Sequence, residues 1–143
     1  MSARMLLRFA SGALGTVTVS DATPAPWSWE LASGENAAYP KQDQPCYIFS
    51  GTAGSLSVPT MELWSYAEQP GWYAPLSRQT VAPPVFDPLV EQLRHFLAVI
   101  AGREQPLISV EDAMGTLAVV EAVSEAARTA QKISPGHIME QAA

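Results

Sequence analysis

The chain has 143 residues, 48% of them hydrophobic and 15% charged, with a formal net charge of -6. That length suits one domain with a real core, at roughly 150 residues per domain, and is too short for a dinucleotide-binding domain plus a separate substrate domain. The apolar content excludes wholesale disorder, and the acidic balance disfavours non-specific binding to phosphate backbones. One cysteine, Cys46, leaves no partner for an intramolecular disulfide, which fits a reducing cytoplasm. No stretch approaches the roughly 18 apolar residues that span a bilayer. Met1 to Arg8 lacks the long apolar run and small-residue cleavage site of a signal peptide. The strand pattern begins by Arg4 with almost no lead-in, as expected of a truncated reading frame or an excised domain.

Residues 1–86 read as strands. They hold 10 of the 22 charges, and ten of the 12 prolines fall between Pro24 and Pro88, so this part cannot be mainly helical. Met5, Leu7 and Phe9 alternate with Leu6 and Arg8. Ser11-Gly12 supplies a hairpin turn, with glycine for a positive φ. Val17 and Val19 alternate with Thr16 and Thr18, and Trp27, Trp29 and Leu31 with Ser28 and Glu30, a run closed by Gly34. Cys46 to Phe49 is a short apolar run. Gly51-Thr52-Ala53-Gly54 turns the chain, Ser55 to Val58 returns, and Met61 to Tyr66 alternates again. A last strand covers Gln79-Thr80-Val81. These make six or seven antiparallel strands with two longer loops, Asn36 to Gln44 and Gln69 to Leu76.

The remainder reads as two helices. Asp87 is a good N-cap, and Pro88 suits the first helical position. Leu89, Leu93, Phe96, Leu97 and Ile100 form one apolar stripe. Gly102 ends the helix and Pro106 prevents its continuation. Ser109 and Asp112 stand three apart ahead of an apolar run, a capping box with Asp in the acidic place. The helix that follows is predicted to reach about Lys132. Ala118, Ala122 and Ala126 line one face of it, small enough for close packing. Pro135-Gly136 stops it, and residues 134–143 are predicted to be a flexible tail. Strands first and helices last give an α+β domain: one open, mostly antiparallel sheet of six or seven strands with two C-terminal helices on one face. The charge-poor strands raise two alternatives, a sheet face that meets another protein surface and a single filled core.

Catalytic signatures are few. Gly12-Ala13-Leu14-Gly15 holds only a fragment of G-x-G-x-x-G and lies in a hairpin, not between a strand and a helix. Gly51 to Ser55 lacks the Gly-Lys-Ser/Thr of a phosphate loop and reads as a β-turn. Of the two histidines, His137 lies in the tail. His95 stands four residues from Glu91, the best available pair for a metal, but the ordinary reading is a histidine hydrogen-bonded to its helix neighbour. Glu111 and Asp112 are explained by the dipole of the helix they open. Cys46 has no basic neighbour and reads as an inert thiol. The four tryptophans read as packing. No Ser-His-Asp arrangement stands out.

The order of these features carries a resemblance. Leu7-Arg8-Phe9-Ala10-Ser11-Gly12-Ala13-Leu14-Gly15, then Val19-Ser20-Asp21, then Ile48-Phe49-Ser50-Gly51-Thr52-Ala53-Gly54-Ser55-Leu56 resembles the sheet of the C-terminal domain of the Gfo/Idh/MocA oxidoreductases, the glucose–fructose oxidoreductase and inositol dehydrogenase family. Asp87 to Phe96, Gly102 with Pro106-Leu107, and Ser109-Val110-Glu111-Asp112-Ala113 followed by Thr116-Leu117 and Glu121-Ala122 are similar to its closing pattern. The resemblance spans about residues 4 to 133. It implies an NAD(P)-dependent dehydrogenase of sugars, inositols and related polyols. In that family a Rossmann domain holds the cofactor, and the C-terminal domain supplies the substrate wall and, through its open sheet, the oligomer interface. The chain departs from the family where the chemistry resides. It has no nucleotide domain, no Glu-Lys-Pro lysine and no Asp-x-x-x-His pair, so no catalytic or cofactor-binding residue carries over and this chain alone is expected to be inactive. The alternatives are a free-standing homodimerisation or small-molecule-binding module, and a small enzyme with a pocket of its own. In the last case Tyr39 and Lys41 from one loop and Trp72 and Tyr73 from the other would face a sugar. No metal, nucleic acid or membrane is expected as a partner.

Overall fold

A computed structural model describes residues 2–82 and 86–136. The α+β class is observed, but the strands do not form one sheet of six or seven. They form a two-stranded hairpin and a separate four-stranded antiparallel sheet. The chain divides into two compact units, one holding the hairpin and the C-terminal residues from Gln92, the other spanning Thr23–Glu91.

In the first unit, β1 (Ser2–Arg8) pairs with β2 (Leu14–Ser20) in a register that sets Met5 opposite Val17 and Arg8 opposite Leu14. The connection closes with Gly12 N donating to Phe9 O at 3.0 Å and Phe9 N donating to Ala13 O at 3.0 Å. Gly12 takes φ 91°, the left-handed conformation the turn requires. Ala3, Met5 and Leu7 are half-buried, and the strand residues between them are exposed, the period-2 pattern of a strand with one covered face.

In the second unit, the run read as a strand through Trp27, Trp29 and Leu31 is instead a short helix, α1 (Trp29–Ser33). Local capping overrides the alternation. Ser28 Oγ accepts from Leu31 N, Glu30 sits in the first turn, and Gly34 ends the helix at φ 73°. Ala32 is the most buried of the four buried hydrophobic residues among the described residues. The sheet follows in sequence order: β3 (Tyr47–Ser50), β4 (Ser55–Val58), β5 (Glu62–Tyr66) and β6 (Leu76–Thr80). The final strand therefore starts three residues before the expected Gln79. Gly51 N donates to Gly54 O at 2.8 Å in the β3–β4 turn. Gly54 lies so close to β5 that a Cβ there would sit 2.6 Å from the Trp64 carbonyl oxygen.

Both predicted C-terminal helices form. In α2 (Pro88–Ile100), Asp87 Oδ1 accepts from Leu89 N at 2.9 Å and from Val90 N at 3.3 Å. At its other end Gly102 N donates to Val99 O and Arg103 N to Ala98 O, both at 3.0 Å, with Gly102 at φ 69°. That is the Schellman arrangement, which satisfies the last carbonyls. In α3 (Val110–Thr129) the capping box is complete: Ser109 Oγ accepts from Asp112 N at 3.1 Å, and Asp112 Oδ2 accepts from Ser109 N at 3.1 Å. The helix stops at Thr129, not near Lys132, because Ala130 turns left-handed at φ 56° and donates to Ala126 O. The expected small-residue face is the covered one, with Ala118 and Ala122 buried. The expected apolar stripe of α2 is present yet exposed, from Leu89 to Ile100. The tail residues from His137 onward lie outside the described residues. No helix among the described residues is long and apolar enough to cross a membrane.

Candidate functional site

The four-stranded sheet carries an open concavity. Its register places Phe49 opposite Leu56 and Leu56 opposite Leu63, so the three side chains share one face. They line an open depression of about 520 Å³ with Ser65 and the Gly51–Gly54 turn. Toward the start of β3, Tyr47 stacks near Phe49, with centroids 6.4 Å apart, and Trp29 of α1 lies 6.0 Å from Tyr47. Trp29 is held there by its indole Nε1–H, which donates to Glu35 Oε2 at 2.8 Å. The residues between these point to the opposite face. There Arg78 Nη1 meets Glu62 Oε1 at 3.1 Å, and the guanidinium lies 5.8 Å from the Trp64 ring centre, a cation–π contact across the strand pair.

The depression holds apolar side chains and serine hydroxyls with no carboxylate, imidazole or amine in its lining. It can cover an apolar surface or the carbon face of a ligand. It has no group for moving a proton at neutral pH.

The predicted loop residues are not brought together. Tyr39 and Lys41 lie in the segment that enters β3 where Tyr47 pairs with Val58, and Trp72 and Tyr73 lie between β5 and β6 beyond the Tyr66–Leu76 pair, at the other end of the sheet. Lys41 packs its stem against Gly34, where a Cβ would meet Lys41 Cδ at 2.7 Å. Tyr39 is about half exposed, and Trp72 and Tyr73 are fully exposed.

His95 pairs differently from its expected helix neighbour. Its Nδ1 is 2.7 Å from Glu104 Oε2, and its Nε2 accepts from Leu107 N at 3.1 Å. Sequence spacing along one helix could not find either partner, because both lie in the connection beyond Gly102. No group of three or more metal-ligating side chains gathers among the described residues. Cys46 is partly buried, with Sγ 3.7 Å from Val58 O. Burial pushes its thiol pKa up from 9.0, Glu30 adding to the rise and backbone hydrogen bonds partly opposing it. It is the reverse of an activated nucleophile.

The Gly51–Gly54 turn joins two antiparallel strands, and Gly12 lies in a hairpin. Neither turn offers the helix N-terminus that a pyrophosphate needs. Comparison of the chain with protein-family models, curated proteins and solved structures finds no match.

Proposed function

We propose that this chain is the C-terminal substrate-side and oligomerisation domain of an NAD(P)-dependent oxidoreductase of the Gfo/Idh/MocA type, acting on a sugar or polyol. Cofactor binding and hydride transfer would reside in a Rossmann domain outside these 143 residues. The observation that carries the reading is that the motif residues stand where the backbone needs them. Gly12 and Gly102 take positive φ, Gly54 has no room for a Cβ, Asp87 caps one helix, and Ser109 with Asp112 caps the other. Motifs so placed serve a backbone geometry, which is how a resemblance scattered along a chain supports a common domain.

The exposed sheet residues support the oligomer part of the reading. Tyr47, Ile48 and Phe49 are all more than half exposed on an edge strand, and large exposed apolar surface marks a contact. The single thiol suits a reducing cytoplasm.

Nicotinamide fluorescence titration tests the division of labour. No binding by this chain is expected, and micromolar affinity overturns it. Sequencing upstream in the same reading frame tests the origin: a Rossmann domain there is the expected result, and an unrelated domain there removes the reading. Light scattering tests the sheet contact, and a strict monomer at high micromolar concentration counts against it. A free-standing homodimerisation module rests on the same exposed strand, and the upstream sequence separates the two readings.

A further inference from the structure

We infer that α2 is a self-association surface, and that two copies of this chain pair through it, antiparallel across a two-fold axis. The helix lies with its apolar side outward. Its covered residues are Pro88, Glu91, His95 and Ala98, spaced three, four and three apart, together with Val99. His95 Nε2 accepts from Leu107 N at 3.1 Å, which ties that side to the connection beyond the helix. Leu89, Leu93, Phe96 and Ile100, spaced four, three and four apart, lie on the other side and are between 57% and 73% exposed. Val90 and Leu97 widen the stripe and are about half exposed. An amphipathic helix ordinarily turns its apolar stripe to a core, so this orientation calls for a second surface, and an apolar patch of this kind marks a contact.

Three features select a second copy as the occupant. The spacing of four, three and four reads the same in both directions, so an antiparallel copy sets Leu89 of one chain against Ile100 of the other and Leu93 against Phe96. That is the a/d period of a two-helix seam, and an isologous contact needs such a self-complementary pattern. The antiparallel order also sets the two helix dipoles head to tail. The second feature is charge. A net charge of -6 opposes the approach of two copies, yet the stripe is free of charge and is flanked on its other edge by Gln92 and Val99. The third is area. At roughly 100 Å² of exposed surface apiece, the six residues offer about 600 Å² per copy and about 1,200 Å² for the pair, the lower end of specific interfaces. The helix is held before any contact forms, by the Asp87 cap at one end and the Gly102 turn at the other, so pairing does not have to order it. The pairing requires nothing of the proposed oxidoreductase role.

Sedimentation velocity and light scattering on the intact chain test it. Ile48→Glu on β3 removes the sheet contact of the proposed function, so the assembly that remains reports on α2 alone. That variant is expected to be a dimer at high micromolar concentration. Adding Phe96→Glu puts a carboxylate into each half of the seam and should raise the dissociation constant at least about a hundredfold, leaving a monomer. A monomeric Ile48→Glu protein overturns the α2 pairing, whatever the sheet contact does in the wild type. A dimer that survives Phe96→Glu in that background overturns it equally. Circular dichroism checks the fold of each variant. Phe96→Glu should keep its helical signal, because the residue faces outward. Loss of that signal places Phe96 in the chain's own core and also overturns the pairing.

Discussion

Replacing Gly54 with alanine adds one methyl where the β3–β4 turn passes closest to β5. The new Cβ would lie 2.6 Å from the Trp64 carbonyl oxygen, 3.4 Å from Ser65 Cβ and 3.6 Å from Trp64 C. The first distance is below the 3.0 Å that real Cβ atoms respect, and the obstructing atom is backbone, which cannot rotate away. The turn or the strand must shift by several tenths of an ångström. Overpacking of this kind costs roughly 1–3 kcal/mol, and alanine returns about 0.4–1 kcal/mol by restricting the unfolded chain. The net expectation is a loss of about 1–2 kcal/mol, or roughly 3–8 °C in Tm for a chain of this size. Thermal and urea unfolding followed by tryptophan fluorescence and circular dichroism measure it. Two controls isolate the cause. Gly51→Ala meets only Gly54 O at 3.7 Å, an ordinary contact, and should stay within about 0.5 kcal/mol of wild type. Gly115→Ala, with nothing within 4 Å on α3, should gain about 0.5–1 kcal/mol from helix propensity. A Gly54→Ala protein that melts at or above the wild type refutes the close approach.

The ends of α3 give two opposed expectations. Ser109→Ala removes the capping box and should cost about 1 kcal/mol, read by urea unfolding; an unchanged midpoint would show that water replaces the cap at no cost. Ala130→Gly relieves a non-glycine residue at φ 56° and should raise stability by about 0.5–1 kcal/mol after the entropy lost by glycine, with a lower Tm as the contrary result. Cys46 has its pKa raised by burial, so its thiolate is scarce at neutral pH. It should react with a soluble disulfide more slowly than a free thiol, the rate climbing only above the ordinary value of 9.0. The sign for folding follows. The raised pKa leaves stability untouched at neutral pH and erodes it as pH rises past that value. Labelling at neutral pH as fast as that of a small thiol contradicts the burial.

Local chemistry made much of the fold legible. The Gly12 hairpin, the Gly51–Gly54 turn, the Asp87 start and Gly102 stop of α2, and the Ser109–Asp112 box of α3 are all short-range devices. Each satisfies backbone groups within four or five residues of itself, so a reader of the sequence can place them. The state of Trp29–Ser33 is also local. The Trp27, Trp29, Leu31 alternation points to a strand, but Ser28 and Gly34 cap these five residues at either end and make them helical. The candidate site was legible only as residue types. Phe49, Leu56 and Leu63 fall in three runs that read as strands, yet that they share one wall is a matter of register between strands.

The sequence by itself therefore determined most element types, with the strand expected at Trp27 to Leu31 the exception, and most caps and turns, the α+β class and the shortage of catalytic signatures, because these depend on neighbours along the chain. Only the tertiary structure decided that six strands divide into a pair and a four-stranded sheet. It alone set Gly54 against Trp64 O, and it gave His95 to Glu104 and Leu107 in place of Glu91. The physical reason is the same in each case. A strand's edge, a glycine's missing Cβ and an imidazole's two nitrogens each accept many partners. The partner taken depends on which distant backbone the folded chain brings within about 3 Å, and no periodicity encodes that.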